Sequence, residues 1–576
     1  MTTMDTPTTH NRPTSPTTGS SGATTAAAAP SAATDPSPTV ATSTGDSGAS
    51  PSASGVTPPS GALSGERSSS APTRPESSQP TAPTLPESPL TIFDVSRAGR
   101  RGVRPPPAGV PEVDPHTALG RAARKEPAAL PEIGELDAMR HYTRLSSLNF
   151  SIANAFYPLG SCTMKYNPLI NEAAAALPGL GALHPMQTDD QCQGMLELFW
   201  RVEQWLSAVS GLPFVSLHPA AGAHGELTAL MVMRKFLDEH GGRKKSVILI
   251  PDSAHGTNPA SCTIAGFTTR EVKSNERGRV DMDDLAAKLG DGQDIAGLMI
   301  TNPSTLGIFE RNIRRICELV HGAGGLVYMD GANMNAILGR ARPGDFGVDV
   351  MHFNLHKTFS QPHGGGGPGA GPIAVTEALA PYLPVPKVER RELKAKDGQV
   401  VGHKYVTVSK APKSIGRMRG FMGNAGVMVR SYTYMRANGP EGLRAISDAA
   451  VLNANYLRAG LEKTYRVFFP EPCLHEVVFT AKGMPNGIRA LDVAKRLIDY
   501  KIHPPTVYFP LIVPEAMMVE PTETESRETL DRFIEVMQAI WREAESDPDM
   551  LRKAPHTRAI GRPDEVRAVK EPRVTV

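Results

Sequence analysis

The residues best suited to chemistry lie between Gly325 and Pro372, in GGLVYMDGANMNAILGRARPGDFGVDVMHFNLHKTFSQPHGGGGPGAGP. Asp330 follows one short apolar run, Leu326–Met329, and the pair His356-Lys357 follows a second, Val350–Phe353. Apolar runs of this length bounded by turn residues predict buried strands, which places both polar turns at strand ends. A lysine that binds an aldehyde covalently and a carboxylate that keeps a pyridine nitrogen protonated together suit a pyridoxal phosphate site. Each piece alone has a plainer explanation: Asp-Gly is a common turn, and a loop lysine is most often a solvated charge. The conjunction carries the reading. The run Gly364–Gly367 would let backbone approach a ligand closely, or serve as a hinge.

Such a site also needs a phosphate cradle and a clamp for the ring. Ala220–Glu226 (AAGAHGE) opens a predicted helix, where the backbone N–H groups of Gly222, Ala223 and His224 would face an anion. A tight turn accounts for the same residues. His255, in PDSAHGTNPAS, follows a predicted strand and would lay its imidazole on the pyridine ring, although a lone histidine is more often a core or surface residue. Asn302 would hydrogen-bond the cofactor's phenolic oxygen, although Asn-Pro also opens turns. His356 is counted with the cofactor-binding set because it adjoins Lys357.

The elements that must position these residues alternate. A helix is expected over Gln193–Val209. A second follows Val215–Glu226, with Leu227, Leu230, Met231 and Leu237 on its buried side and Gly241 as its stop. Next come a strand at Ser246–Pro251, a helix at Met282–Leu289, a strand at Gly297–Thr301 and a helix at Asn312–Ala323. Alternation of this kind predicts an α/β fold, a mostly parallel sheet covered by helices on both faces. Ligands of open α/β sheets bind beyond the carboxyl ends of the strands. Four polar clusters fall there: Asp252–Asn258, Asn302–Ser304, Asp330 and His356-Lys357.

Around this large domain, assigned to 189–380, the chain divides further. Residues 1–88 are Ser, Thr, Ala, Pro and Gly with few large apolar side chains, a composition that predicts disorder. An N-terminal arm at 89–188 ends in a turn-rich loop, Phe156–Pro168 (FYPLGSCTMKYNP). A charged excursion at 381–430 is expected to hold a hairpin from Leu393 to Val408 and an Arg-rich loop, Ser414–Gly426. The remainder, 431–576, reads as a smaller C-terminal α/β domain. Its strands are expected near His475–Thr480 and Tyr508–Leu511. Its last helix, Glu525–Glu545, carries Leu530, Phe533, Ile534, Met537, Ile540 and Trp541 at helical spacing.

Bulk properties exclude several classes. A net charge of +2 over 576 residues gives no electrostatic case for nucleic acid or an anionic membrane. Five scattered cysteines without C-x-x-C spacing argue against a disulfide framework or a zinc site, and for a reducing compartment. No apolar run approaches the roughly 20 residues of a membrane helix. The start lacks the apolar segment of a secretory signal, so a cytoplasmic protein is expected.

The stretches FYPLGSCTMKYNP, HPAAGAHGE, PDSAHGTNPAS, TNPSTLGIFE, DGANMNAILG, PGDFGVDVMHFNLHKTFSQPHGGGGPG, SIGRMRGFMGNAGVMVRSYTYM and MMVEPTETES closely resemble, in the same order, the P-protein family of the glycine cleavage system. That family comprises the decarboxylating glycine dehydrogenases. The likeness runs from about Phe93 to Pro563, and the length is similar to the second, cofactor-bearing subunit of the two-subunit form. It implies a fold-type I pyridoxal phosphate enzyme and an oxidoreductase of the aminomethyl-transferring kind. It also implies an α2β2 heterotetramer with a first subunit that lacks the lysine, and a lipoylated H-protein as acceptor. On the family pattern, Lys357 in NLHKTF holds the cofactor, Asp330 in DGANMN partners the pyridinium, and His255 in SAHGTNP stacks on the ring. HPAAGAHGE departs from one-chain relatives, which have serine and glutamine where it has alanine and histidine; this marks a subfamily. The reaction implied is decarboxylation of glycine and transfer of its aminomethyl group to the lipoyl arm. Phe156–Pro168 and Ser414–Gly426 would wall the channel for that arm, and Arg417 and Arg419 would meet the substrate carboxylate or an acidic partner surface. Two rivals remain at this level: another fold-type I enzyme (decarboxylase, aldolase or aminotransferase), which would turn over without H-protein, and a non-catalytic scaffold, which would have no use for Lys357, Asp330 and His255 together.

Overall fold

The computed structural model describes residues 91–572, apart from 105, 108, 127 and 364–368. The Ser/Thr/Pro-rich tail and the run Gly364–Gly367 therefore lie outside the described residues.

The central sheet has seven strands: β1 (Phe214–Ser216), β2 (Val247–Pro251), β3 (Thr268–Val272), β4 (Ile295–Thr301), β5 (Leu326–Gly331), β6 (Val350–Phe353) and β7 (Ile373–Val375). Their spatial order is β1-β7-β6-β5-β4-β2-β3. Neighbours from β3 to β6 pair in parallel, and β7 runs antiparallel to both β6 and β1. Side chains along a strand alternate between faces, and here both faces are covered. Leu249, Leu298 and Met329 join one core with the helices Gln193–Ser210, Met282–Leu289 and Ile313–Gly322. Ile248, Met299 and Tyr328 join another with the helix Gly222–Glu239. Burial on both sides is why β2 and β4 read as unbroken apolar runs.

Three expectations are corrected. In the helix Gly222–Glu239, Leu227 and Met231 are half-buried, and Val232 and Met233 are buried instead. The helix lies on the sheet through a wider face than an i, i+3, i+4 stripe. Strand β3 and the helix Thr257–Ile264 before it were not anticipated, because β3 (TTREV) is a half-exposed edge with no apolar run. Tyr508–Leu511 is a turn, in which Leu511 is exposed and Pro510 cannot donate to a ladder.

Beyond the central sheet, β8 (Lys387–Lys394) and β9 (Val400–Val408) form the charged hairpin, which starts earlier than the sequence indicates. A long helix, Ala425–Leu461, kinks at Gly439-Pro440, where proline removes a helical donor. The C-terminal part has its own antiparallel sheet of β10 (Arg466–Val467), β11 (Val477–Thr480), β12 (Thr506–Val507) and β13 (Ala516–Val519), in the order β10-β11-β13-β12. The helix Arg527–Ser546 covers it with Leu530, Phe533, Val536, Met537, Ile540 and Ala544, while Ile534 and Trp541 are half-buried at the margin.

The loop Phe156–Pro168 is pinned to this second sheet. Leu159 forms a β-bridge with Val519, and the Glu520 N–H donates to the Pro158 carbonyl at 3.3 Å. At Gly160 a Cβ would lie 2.2 Å from Met518 Cγ and 2.7 Å from the Met518 carbonyl oxygen, so only glycine allows the loop this close.

Candidate active site

A cavity of about 160 Å³ opens at the carboxyl ends of β4, β5 and β6. Lys357, Asp330, His255, Gly222, Ala223 and His356 all line it. A larger cavity of about 630 Å³, between Trp205 and the kink at Gly439, contains none of them.

Asp330 ends the apolar part of β5 and is almost fully buried. Its carboxylate accepts from Asn258 Nδ2 at 3.2 Å and from the Ala332 N–H at 2.9 Å, and His352 Nε2 lies 3.3 Å away. Burial opposes ionisation. The charge of His352, the Ala332 N–H, the Lys357 charge and the Asn258 amide overcome it and hold the carboxyl below its ordinary range. Behind it, His352 Nδ1 meets the Tyr328 hydroxyl.

His255 follows β2 in the turn before the helix Thr257–Ile264. Its Nδ1 is 2.9 Å from Thr257 Oγ1, and that hydroxyl donates to Glu226 Oε1 at 2.8 Å. Ser261 donates to the other oxygen of Glu226 at 2.8 Å. The ring is thus held through Thr257 by a buried carboxylate. Burial and the Lys357 charge lower the imidazole pKa, against the opposing pull of Asp330 and Glu226, so the ring is neutral near pH 7.

Lys357 lies in the short helix Leu355–Thr358 after β6, and its Nζ donates to the Ser161 carbonyl at 2.8 Å. His356 beside it is driven down to about 3 by burial and by the Lys357 and His363 charges; its Nδ1 has no partner among the described residues. The helix Gly222–Glu239 points its N-terminus at the cavity with no side-chain cap. A Cβ at Gly222 would sit 2.1 Å from Asn354 Oδ1.

Two expected residues, His224 and Asn302, are not in the cavity wall. The His224 ring folds back to accept the Ala220 N–H at 3.1 Å, which leaves its backbone N–H as its contribution. Asn302 is buried outside the cavity wall; its Oδ1 accepts from the Glu310 N–H at 3.0 Å and its Nδ2 has no partner among the described residues. Arg419 donates to Asn424 Oδ1 at 2.8 Å, and its charge acts on His224, on the cradle side of the site.

Sequence reasoning missed Ser161, Glu226, Thr257, His352 and Asn354. Glu226 had a signal, standing one helical turn after Gly222. His352 had another, as a polar residue inside a buried strand. Ser161 had none, since nothing local brings it to Lys357.

This mostly parallel sheet, with the lysine following β6 and the carboxylate near the end of β5, is the architecture of the fold-type I pyridoxal phosphate enzymes. Solved structures with this fold include an inhibitor-bound glycine decarboxylase (P-protein) of the glycine cleavage system. Its TM-score is 0.62 at 21% identity, over 74% of this chain and 94% of that one. A Burkholderia pseudomallei sphingosine-1-phosphate lyase gives 0.54 at 14%, over 76% and 97%. In sequence, the chain is 51% identical over 483 residues to proteins named probable glycine dehydrogenase (decarboxylating) subunit 2 from Bacillus licheniformis and Caldanaerobacter subterraneus, covering 84% of this chain and 97% of each relative. A family model for the glycine dehydrogenase C-terminal domain matches residues 446–556. The chain belongs to the glycine dehydrogenase (decarboxylating) subunit 2 family.

Proposed function

We propose that this chain is the cofactor-bearing subunit that decarboxylates glycine with pyridoxal 5'-phosphate. It releases carbon dioxide and passes the aminomethyl group to the lipoyl arm of H-protein. The observation that carries this reading is the convergence of Lys357, Asp330 and His255 on one cavity beneath an uncapped helix N-terminus.

The residues present fit the cofactor. The first-turn N–H groups of Gly222, Ala223 and His224 suit a phosphate, and the absent side chain at Gly222 leaves room that Asn354 already borders. The Thr301 hydroxyl, in the cavity wall, and Asn302 Nδ2 are buried polar groups without partners among the described residues. When bound, the cofactor supplies an electron sink for the pair left on the glycine α-carbon as the carboxylate departs.

The chain's own residues do the rest. Asp330 stays ionised and holds the proton on the pyridine nitrogen. Neutral His255, fixed by Thr257 and Glu226, offers a flat uncharged face to the ring. Lys357 holds the cofactor between turnovers and exchanges protons with the substrate nitrogen. In the transfer, the aminomethyl carbon bonds one lipoyl sulfur as the S–S bond breaks, and the second sulfur takes a proton.

The relatives' name, subunit 2, implies a first subunit as partner. We place the two in an α2β2 heterotetramer in the cytoplasm, with lipoylated H-protein approaching past Phe156–Pro168 and Ser414–Gly426. No helix among the described residues is long and apolar enough to cross a membrane. The domain scheme from sequence, with a large cofactor domain at 189–380 and a smaller one at 431–576, is retained as part of this proposal.

The test is visible absorption of the purified complex, wild type against Lys357→Ala, before and after glycine. A yellow band that borohydride fixes onto Lys357 is expected, with H-protein-dependent exchange of the glycine carboxyl with bicarbonate. A colourless wild-type complex supplied with cofactor would refute the proposal.

A further inference from the structure

We propose that Ser161, held by Glu476, is the berth for the Lys357 side chain while glycine occupies the cofactor, which makes Glu476 a positioning residue. The inference rests on the pyridoxal phosphate reading above.

One residue's backbone serves both partners. The Ser161 carbonyl accepts from Lys357 Nζ at 2.8 Å, and the Ser161 N–H donates to Glu476 Oε2 at 2.8 Å. Ser161 has φ 61°, a left-handed conformation that a non-glycine residue rarely adopts unless its surroundings impose it. Those surroundings belong to the C-terminal sheet. Gly160 lies against Met518, Thr506 Oγ1 donates to the Gly160 carbonyl at 2.7 Å, and Glu476 immediately precedes β11.

Glu476 is fully buried, as are His475 beside it and Glu520 just after β13. A ring nitrogen of His475 and a carboxyl oxygen each of Glu476 and Glu520 lie within 4.8 Å of one another, and Thr163 Oγ1 donates to Glu520 Oε1 at 2.5 Å. His475 and Glu520 crowd Glu476, the Lys357 charge acts on it, and the Lys165–Glu523 pair acts on Glu520. Burial, reinforced by Glu520, raises the Glu476 pKa well above the ordinary carboxyl value despite the Ser161 N–H and the Lys357 charge. Glu476 accepts from Ser161 through one side-chain oxygen, a contact that the amide oxygen of glutamine can make at the same reach.

Lys357 Nζ makes a single hydrogen bond here, to the Ser161 carbonyl; a lysine nitrogen bonded to the cofactor would be drawn toward the cradle side of the cavity, and we assign this bond to the released lysine. On release, the glycine nitrogen forms its C=N bond to the cofactor carbon as the C=N bond to Lys357 breaks. The two protons that the glycine ammonium gives up end on the lysine nitrogen. Glycine, entering as an ammonium, thus leaves Lys357 as one, and a half-buried ammonium is held best by an aligned acceptor.

The experiment is an equilibrium glycine titration of the reconstituted complex, followed by cofactor absorbance, alongside the fraction of cofactor that borohydride fixes to Lys357 without glycine. Glu476→Gln is expected to bind glycine within about twofold of wild type. Glu476→Ala and Glu476→Asp, which lose or withdraw the acceptor, should weaken glycine about tenfold and leave the glycine-free spectrum and trapped fraction unchanged. Wild-type glycine affinity in either of these two would overturn the inference, as would equal weakening in Glu476→Gln. If Glu476→Ala does not fold, Glu476→Asp decides. A wild-type complex without a cofactor band would instead overturn the cofactor reading itself, and this inference with it.

Discussion

His352 Nε2 lies 3.3 Å from Asp330 Oδ1, with both side chains almost fully buried at neighbouring strand ends. The pairing, with the Ala332 N–H, the Lys357 charge and the Asn258 amide, holds the carboxyl below its ordinary range against burial. Asp330→Asn removes the charge and retains the shape. We expect kcat to fall by about 10²–10³-fold, the usual scale for losing one preorganised electrostatic group, measured as glycine–bicarbonate exchange. His352→Gln should fall less, because the Ala332 N–H and Asn258 still support Asp330.

The cradle makes a separate prediction. Gly222→Ala would push a Cβ to 2.1 Å from Asn354 Oδ1, at the mouth of the uncapped helix. The Asn354 side chain must turn toward the space assigned to phosphate. Cofactor affinity should drop about ten- to a hundredfold, since a displaced charge-assisted hydrogen bond costs roughly 1.5–3 kcal/mol. Equilibrium dialysis of pyridoxal phosphate measures it, and Gly222→Ala combined with Asn354→Ala should recover part of the loss.

Loop anchoring is tested at Lys165. Its ammonium, 1% exposed, reaches Glu523 at 2.8 Å, Asn335 at 2.9 Å and the Tyr434 hydroxyl at 3.1 Å. Lys165→Met leaves Glu523 buried without its counter-charge and should cost about 3–5 kcal/mol of stability. Removing both charges, in Lys165→Met with Glu523→Leu, should cost less. Denaturant unfolding of the complex compares them.

A pH dependence is expected at His321, whose Nε2 lies 2.8 Å from Asp349 Oδ2; that carboxylate also takes the Val327 N–H at 2.7 Å. The Asp349 hydrogen bond raises the His321 pKa above its ordinary value, against burial. The stabilisation is therefore complete below the ordinary histidine pKa and is lost as pH rises through the raised one. The ring is 40% exposed, so the contribution is small, about a few tenths of a kcal/mol. His321→Gln should lower Tm slightly at pH 6 and leave it unchanged at pH 9.

The sequence by itself determined the parallel sheet and the strand-end residues. Buried strands are short apolar runs, and whatever polar residue ends such a run must face the site edge, so Asp330, His255 and Lys357 could be placed by local pattern alone. Edge strand β3 escaped because half-exposure erases that pattern, and the strand expected near Tyr508–Leu511 stops at Val507 because Pro510 cannot donate to a ladder. Only the tertiary structure decided which groups hold these residues. Ser161 meets Glu476 from 315 positions away in the chain, and Lys165 meets Glu523 from 358. Those contacts arise because the loop after Phe156 lies across β13, a long-range packing that leaves no period, spacing or cap in the chain to read. The geometry of Lys357 is thus a property of two sheets together, although its identity is written in the turn that follows one strand.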